Sequence, residues 1–299
     1  MFTKILIPLD GSALAERALL PALALARYYK AEVMLVRVPE AAQMFIPAEG
    51  GLGMHYPERA QEQARGAAWT YLQGLQAERS AEGLAIAARL ADGDVASALV
   101  DAAVEERADL IVMSSHGYSG VTRWVLGSVA EKVLREAACP VLIVRASQPI
   151  QRVLIPLDGS PLAGHALAPA LDLAEALGAS VLLLRVLPDV GPRELEALDE
   201  LERGLRDRML DDAQEGAQAY LDGIAATFAR PGVELKTLVS AGPVAQAILK
   251  QAELGDVDLI AMATHGRTGL RRWIYGSVTE KVLHTAATSM LVVRPRELR

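Results

Sequence analysis

The chain reads as an α/β protein of two tandem domains, each a doubly wound parallel sheet, and three observations predict it. Most motifs of the first half return in the second; short apolar runs alternate with helically spaced segments; and several of those runs lack polar alternation. The first points to duplication, the second to repeated strand–helix units, the third to strands covered on both faces. "KILIPLDGS" (Lys4 to Ser12) returns 148 residues later as "RVLIPLDGS" (Arg152 to Ser160). "ADLIVMSSHG" (Ala108 to Gly117) returns after 149 residues as "VDLIAMATHG" (Val257 to Gly266). "GSVAEKVL" (Gly127 to Leu134) and "PVLIVR" (Pro140 to Arg145) return as "GSVTEKVL" (Gly276 to Leu283) and "SMLVVR" (Ser289 to Arg294). An offset steady to one residue means duplicated domains, not the 20–50-residue period of a solenoid. The expected domains are 1–147 and 148–299, with "ASQPIQ" (Ala146 to Gln151) as linker.

In the first half, strands are expected at Ile5–Leu9, Val33–Val38, Leu84–Leu90, Leu110–Ser114 and Val141–Val144. After the first, Leu14, Ala18, Leu19, Ala22, Leu23 and Ala26 recur on one helical face. The second half repeats the order, with strands at Val153–Leu157, Val181–Leu187, Val233–Val239, Leu259–Ala263 and Met290–Val293. Between its second and third strands each half carries a less similar insert. Pro39 to Glu58 reads as a loop before a helix running to about Arg79; Pro192 to Leu221 reads as a densely charged helix with a solvated face.

Composition narrows the function classes. The chain has 299 residues, enough for two domains with cores of their own, and is 52% hydrophobic and 22% charged. A net charge of −7 argues against a general nucleic-acid or anionic-membrane surface. Cys139, the one cysteine, precludes an intramolecular disulfide framework and reads as a small core residue before Pro140. The start "MFTKILIPLD" lacks a signal-peptide pattern, and no apolar run reaches the ~18 residues of a membrane span, so the cytoplasm is the expected location.

In open α/β sheets, ligands bind beyond the carboxyl ends of the strands where strand order reverses. Two elements of each half emerge there. The first is "PLDGS", where Ser12 or Ser160 suits a helix N-cap and Pro161 suits the first helical position. Asp10 and Asp158 either bond turn amides or accept from a ligand; both readings stand. The second is a glycine loop: Gly117, Gly120 and Gly127-Ser128, repeated as Gly266, Gly269 and Gly276-Ser277. Glycines let successive amides approach one anion, and a helix N-terminus attracts it. "SVAE" and "SVTE" also read as capping boxes, pairing Ser128 with Glu131 and Ser277 with Glu280. His116 and His265 read as loop hydrogen-bonders, Trp124 and Trp273 as packing anchors. Arg123, Arg267, Arg271 and Arg272 read as surface cations within reach of phosphate.

With these residues in view, the chain resembles a tandem universal stress protein over nearly all of both halves. The family's ATP-binding members carry G-x2-G-x9-G-[ST] after the fourth strand. Gly117, nine residues, then Gly127-Ser128 match its latter part, as do Gly266, nine residues, then Gly276-Ser277. At the motif's first glycine stand Ser114 and Ala263, which still offer a backbone N–H. The resemblance implies a Rossmann-like, flavodoxin-like five-stranded sheet in order 3-2-1-4-5 in each half. It also implies fifth strands pairing across a two-fold, so that one chain mimics a dimer; a further homodimer is compatible. It implies ATP as ligand; in the ATPase reading alone, Asp10 or Asp158 could contact a Mg²⁺ through water. Pro8, Asp10, Val38 and Met113 would meet adenosine, and Ser114, Gly117, Gly127, Ser128 and Val129 the sugar and phosphates. Pro156, Asp158, Val186, Met262, Ala263, Gly266, Gly276, Ser277 and Val278 would do so in the other half. Three classes of output stay open: a regulatory ATP-binding protein, a slow ATPase or phosphotransferase, and a nucleotide-free scaffold working through protein partners.

Overall fold

Ile5, Leu6 and Ile7 have no solvent-accessible surface, and Leu154 and Ile155 have none in the second half. Such consecutive burial is what a parallel strand covered by helices on both faces requires. Each fully buried side chain of this size contributes about 1.5–3 kcal/mol of transfer free energy. The computed structural model describes residues 1–39, 44–48, 51–55, 58–115, 126–188, 204–264 and 276–295. The described residues sort into two compact units, one ending at Val144 and the other taking in Arg145 onward.

The first unit contains β1 (Lys4–Pro8), a 3-10 turn (Ala15–Ala18), α1 (Leu19–Tyr29), β2 (Glu32–Arg37), β3 (Met44–Ala48), β4 (Gly51–His55), α2 (Glu58–Ser80) and β5 (Ile86–Leu90). It continues with α3 (Val95–Glu105), β6 (Leu110–Ser114), α4 (Ser128–Glu136) and β7 (Val141–Val144). Its parallel sheet runs β5-β2-β1-β6-β7, which is the expected order 3-2-1-4-5. The second unit contains β8 (Arg152–Pro156), α5 (Pro161–Gly164), α6 (Leu167–Leu177), β9 (Ser180–Leu187), α7 (Leu205–Thr227) and β10 (Leu235–Ala241). After these come α8 (Val244–Leu254), β11 (Leu259–Ala263), α9 (Ser277–Thr285) and β12 (Ser289–Val293). Its sheet, β10-β9-β8-β11-β12, has the same order and is parallel throughout.

Two expectations shift. The third strands begin two residues later than the apolar runs suggested, at Ile86 and Leu235. The segment read as a loop before α2 contains an antiparallel hairpin, in which Met44 pairs with His55 and Ala48 with Gly51. Pro47 is compatible with the hairpin because a two-stranded ribbon leaves one side of each strand unpaired, where a missing N–H costs nothing. Cys139 is buried, as a small core residue should be. Among the described residues, no helix is long and apolar enough to cross a membrane.

The switch point of each sheet lies between the first and fourth strands, β1/β6 and β8/β11. Over the edge strands lie the long crossover helices. α2 turns Ala68 and Leu72 inward and α7 turns Ala217 and Leu221 inward, in each case one helical turn apart on a single face.

Candidate functional site

At the end of β1 the chain must turn sharply into a helix, and Asp-Gly-Ser does this by local hydrogen bonding. The Ser12 amide donates to Asp10 Oδ1 at 2.8 Å, Gly11 takes φ +89°, and the Ala15 amide donates to Ser12 Oγ at 3.1 Å. The second half repeats the device. The Ser160 amide donates to Asp158 Oδ1 at 2.8 Å, Gly159 takes φ +83°, and the Ala163 amide donates to Ser160 Oγ at 3.2 Å. Ser160 is the N-cap of α5 with Pro161 behind it, as its sequence indicates. The turn-forming role of both aspartates is therefore real, and it occupies one carboxylate oxygen of each. At Asp158, burial works to raise the pKa, but the hydroxyl and amide of Ser160 and the nearby Arg185 cation hold the carboxyl below the usual range.

The second wall comes from the start of α4. Gly127 donates its amide to the Ser115 carbonyl at 2.9 Å and has extended torsions, φ −66° and ψ 149°. Gly127 is thus the N-cap, and Ser128 is the first helical residue. The expected capping box does not form. Capping starts one residue earlier than the Ser–Glu spacing implied, and no side chain caps α4. α9 behaves identically: Gly276 is the N-cap at φ −56° and ψ 141°, Ser277 opens the helix, and no side chain caps it. Helix ends of this kind leave amides, and the positive end of the macrodipole, to face whatever lies beyond.

In the first unit these elements enclose a cavity of about 530 Å³. Pro8, Asp10, Val38 and Met113 line it from the strand ends; Ser114, Gly127, Ser128 and Val129 line it from the far wall. Gly117 lies outside the described residues, as do Gly120, His116, Arg123 and Trp124. In the second unit Pro156 ends β8, Val186 lies near the end of β9, and Asp158 follows β8 in the turn. Met262 and Ala263 end β11; Gly276, Ser277 and Val278 bracket the start of α9. Gly266, Gly269, His265, Arg267, Arg271, Arg272 and Trp273 lie outside the described residues.

Residue-by-residue reading missed the cation of this cavity. Arg37, the last residue of β2, lines it together with Val36 and Leu99. Its guanidinium carbon sits 5.0 Å from the centre of the Tyr71 ring on α2, and the Tyr71 hydroxyl donates to Glu16 Oε1 at 2.8 Å. Burial and that bond to Glu16 push the Tyr71 phenol above its ordinary value, so it stays protonated. In the second unit Arg185 sits 5.0 Å from the Tyr220 ring centre. Burial raises the Tyr220 phenol as well, against the opposing pull of Arg185. The signal was present in the repeat, because Arg37 recurs as Arg185 and Tyr71 as Tyr220 at the offsets of the larger motifs.

Fold and site together define a tandem doubly wound α/β protein whose first unit has a ligand-sized crevice at the sheet's switch point. Both halves match the model of the universal stress protein family, over residues 1–145 and 149–294, and the chain belongs to that family. A universal stress protein of Mycolicibacterium smegmatis is 28% identical over 98% of this chain and 97% of its own length. One from Mycobacterium tuberculosis is 28% identical over 64% of this chain, and the chain spans 63% of that relative's length. Among solved structures, a universal stress protein of Archaeoglobus fulgidus superposes with a TM-score of 0.69 at 22% identity, covering 98% of each chain. A putative universal stress protein of Pseudomonas aeruginosa gives 0.70 at 19% identity, covering 99% of this chain and 94% of its own. These two likenesses speak for the fold.

Proposed function

We propose that the protein binds ATP, or an adenine nucleotide like it, at the switch-point edge of its domains and acts as a regulatory protein of the stress response. The observation that carries this reading is the cavity of about 530 Å³, one wall of which is the uncapped N-terminus of α4 at Gly127 to Val129. That volume lies within the range of small-molecule and cofactor sites. Its lining is divided as a nucleotide needs. Pro8, Val36, Val38 and Met113 offer apolar surface for a base and sugar, and the α4 amides offer donors to an anionic tail. Mg²⁺ accompanying the phosphates would keep most of its waters, with Asp10 in reach through one of them. The second half supplies the corresponding residues, Asp158, Ala263, Gly276 and Ser277, for a second seat.

The output of binding is conformational or partner-mediated, with slow hydrolysis at most. Asp10 commits one oxygen to the Ser12 amide, which fixes a turn. Ligand binding stabilises the folded state by mass action without turnover. Two measurements test the reading. Protein purified from cells and then denatured should release an adenine nucleotide, and calorimetric titration of the stripped protein with ATP should give a binding isotherm. No released nucleotide and no heat of association at millimolar ATP would leave the family's fold without this function. Timed phosphate release, with Asp10→Ala and Asp158→Ala as controls, should stay slow; fast release abolished by either change would make the protein an enzyme.

A further inference from the structure

Arg37 is held in the first crevice from two sides, by the turn backbone and by an aromatic ring. A Cβ placed on Gly11 would lie 3.0 Å from Nη1, 3.1 Å from Nη2 and 3.2 Å from the guanidinium carbon, so the guanidinium rests against the turn backbone. The Tyr71 ring stands 5.0 Å from the guanidinium carbon, and Glu16 holds the Tyr71 hydroxyl at 2.8 Å. Among the described residues, no carboxylate forms an ion pair with Arg37. A rigidly held cation that lines a largely apolar cavity without an ion-pair partner has donors to offer a ligand.

Its place on the sheet says which part of the ligand. β2 lies on one side of β1 and β6 on the other, so the ends of β2 and β6 are separated by two strand spacings, roughly 10 Å. The α4 amides belong to the β6 side. Arg37 stands on the β2 side, with the Asp10 carboxylate between them on the β1 turn. Guanidinium donors beside a carboxylate acceptor match the edge of a heterocycle that presents a ring-nitrogen acceptor next to an amino donor. The second unit keeps the arginine and the tyrosine but not the brace. Gly164 occupies the position of Glu16, so Tyr220 has no carboxylate acceptor from that turn.

We infer that Arg37 binds the heterocyclic end of the ligand, held for it by the Glu16–Tyr71 brace, and that the first domain is therefore the tighter of two unequal seats. This rests on the nucleotide reading above. The brace removes rotamer freedom from a long side chain before binding, and preorganisation of this kind strengthens association by lowering its entropic cost.

The test is calorimetric titration of the full chain with two probes, ATP and adenosine. Wild-type protein should show two affinities for ATP. Arg37→Ala should weaken the tighter site about tenfold for ATP and by the same factor for adenosine, the usual scale for losing a charge-assisted hydrogen bond. Gly127→Val should weaken ATP and leave adenosine unchanged. Arg185→Ala should affect only the weaker site, and Glu16→Ala should cost the tighter site about threefold while leaving the weaker one alone. Circular dichroism and melting confirm the fold of each variant, and Arg37→Lys, which keeps the charge and loses the planar fork, should recover only part of the loss. The inference fails if Arg37→Ala binds both probes like wild type, or if its loss is confined to ATP, since the guanidinium would then serve the phosphates. Unchanged binding by Glu16→Ala removes the brace from it. If wild-type protein takes up neither probe, the nucleotide reading itself fails, an outcome distinct from all of these.

Discussion

Asp10 is half-buried and Asp158 is exposed, although each accepts the same serine amide at the same 2.8 Å. Pro8 is buried where its counterpart Pro156 is half-buried. Around these shared turns the halves have diverged by single side chains. Glu16 faces Gly164 across the repeat, and Ala130, which lines the first cavity, corresponds to Thr279. The Thr279 hydroxyl donates to the Ala263 carbonyl at 3.3 Å, tying the first turn of α9 to the end of β11. Duplication copied the backbone geometry of both Asp-Gly junctions, because strand and turn are each set locally. What surrounds them depends on side chains from several elements, and there the two copies drift apart.

The largest effect is expected from the helix N-caps. Gly127→Val keeps torsions that valine tolerates, φ −66° and ψ 149°, and puts a branched side chain where a phosphate would sit. ATP affinity of the first seat should fall roughly 100-fold, the scale of two lost charge-assisted bonds, with little change in melting temperature. Gly276→Val should do the same to the second seat, and equal affinities before and after either change would remove the amides from the site.

Next come the turn glycines. Gly11 and Gly159 sit at φ +89° and +83°, where an L side chain costs about 1–2 kcal/mol, so each alanine variant should lose that much in denaturant unfolding. The added Cβ would stand 3.0 Å from Arg37 Nη1 but 2.5 Å from Arg185 Nη1, so Gly159→Ala should displace its arginine further. A smaller effect should follow from giving the second half the brace of the first. Gly164 has nothing within 4 Å of an added Cβ, so Gly164→Glu is accommodated and should tighten the second seat about threefold in the same titration.

The smallest effect concerns α3. The Lys132 ammonium, 2.6 Å away, and then the Ser97 amide and hydroxyl hold the Asp94 carboxyl at about 2, below its ordinary 3.8. A carboxyl whose folded value is depressed stabilises the fold above its unfolded value, and that contribution is lost as pH falls from about 4 to about 2. The second half has Pro243 at this N-cap, with no side-chain cap. Asp94→Asn should therefore flatten the acid limb of stability across that window, measured by melting between pH 5 and pH 2. An unaltered acid limb would show that the first half gains nothing from the pair.

Much of this was legible in the residues because local rules govern it. Consecutive apolar runs such as Ile5 to Ile7 gave away buried parallel strands, and Ser160-Pro161 marked a helix start that the structure has. The capping boxes at Ser128 and Ser277 were misread because their pattern fits two registers one residue apart. The choice was made by Gly127, whose amide donates to the Ser115 carbonyl. The hairpin at Met44–Ala48 and Gly51–His55 lacks polar alternation and carries glycines and a proline, so nothing local separates it from a loop.

Sequence alone thus specifies two copies of one α/β domain, with strand–helix alternation and Asp-Gly junctions that follow from hydrophobic periodicity and turn chemistry acting over a few residues, while the strand order came from the family resemblance. Packing of the whole domain brings Arg37, Tyr71 and Glu16, from a strand, a crossover helix and a 3-10 turn, together beside one cavity. No local pattern encodes that meeting. It arises when the sheet and its covering helices pack, since side-chain contacts between separate elements depend on where every element comes to rest.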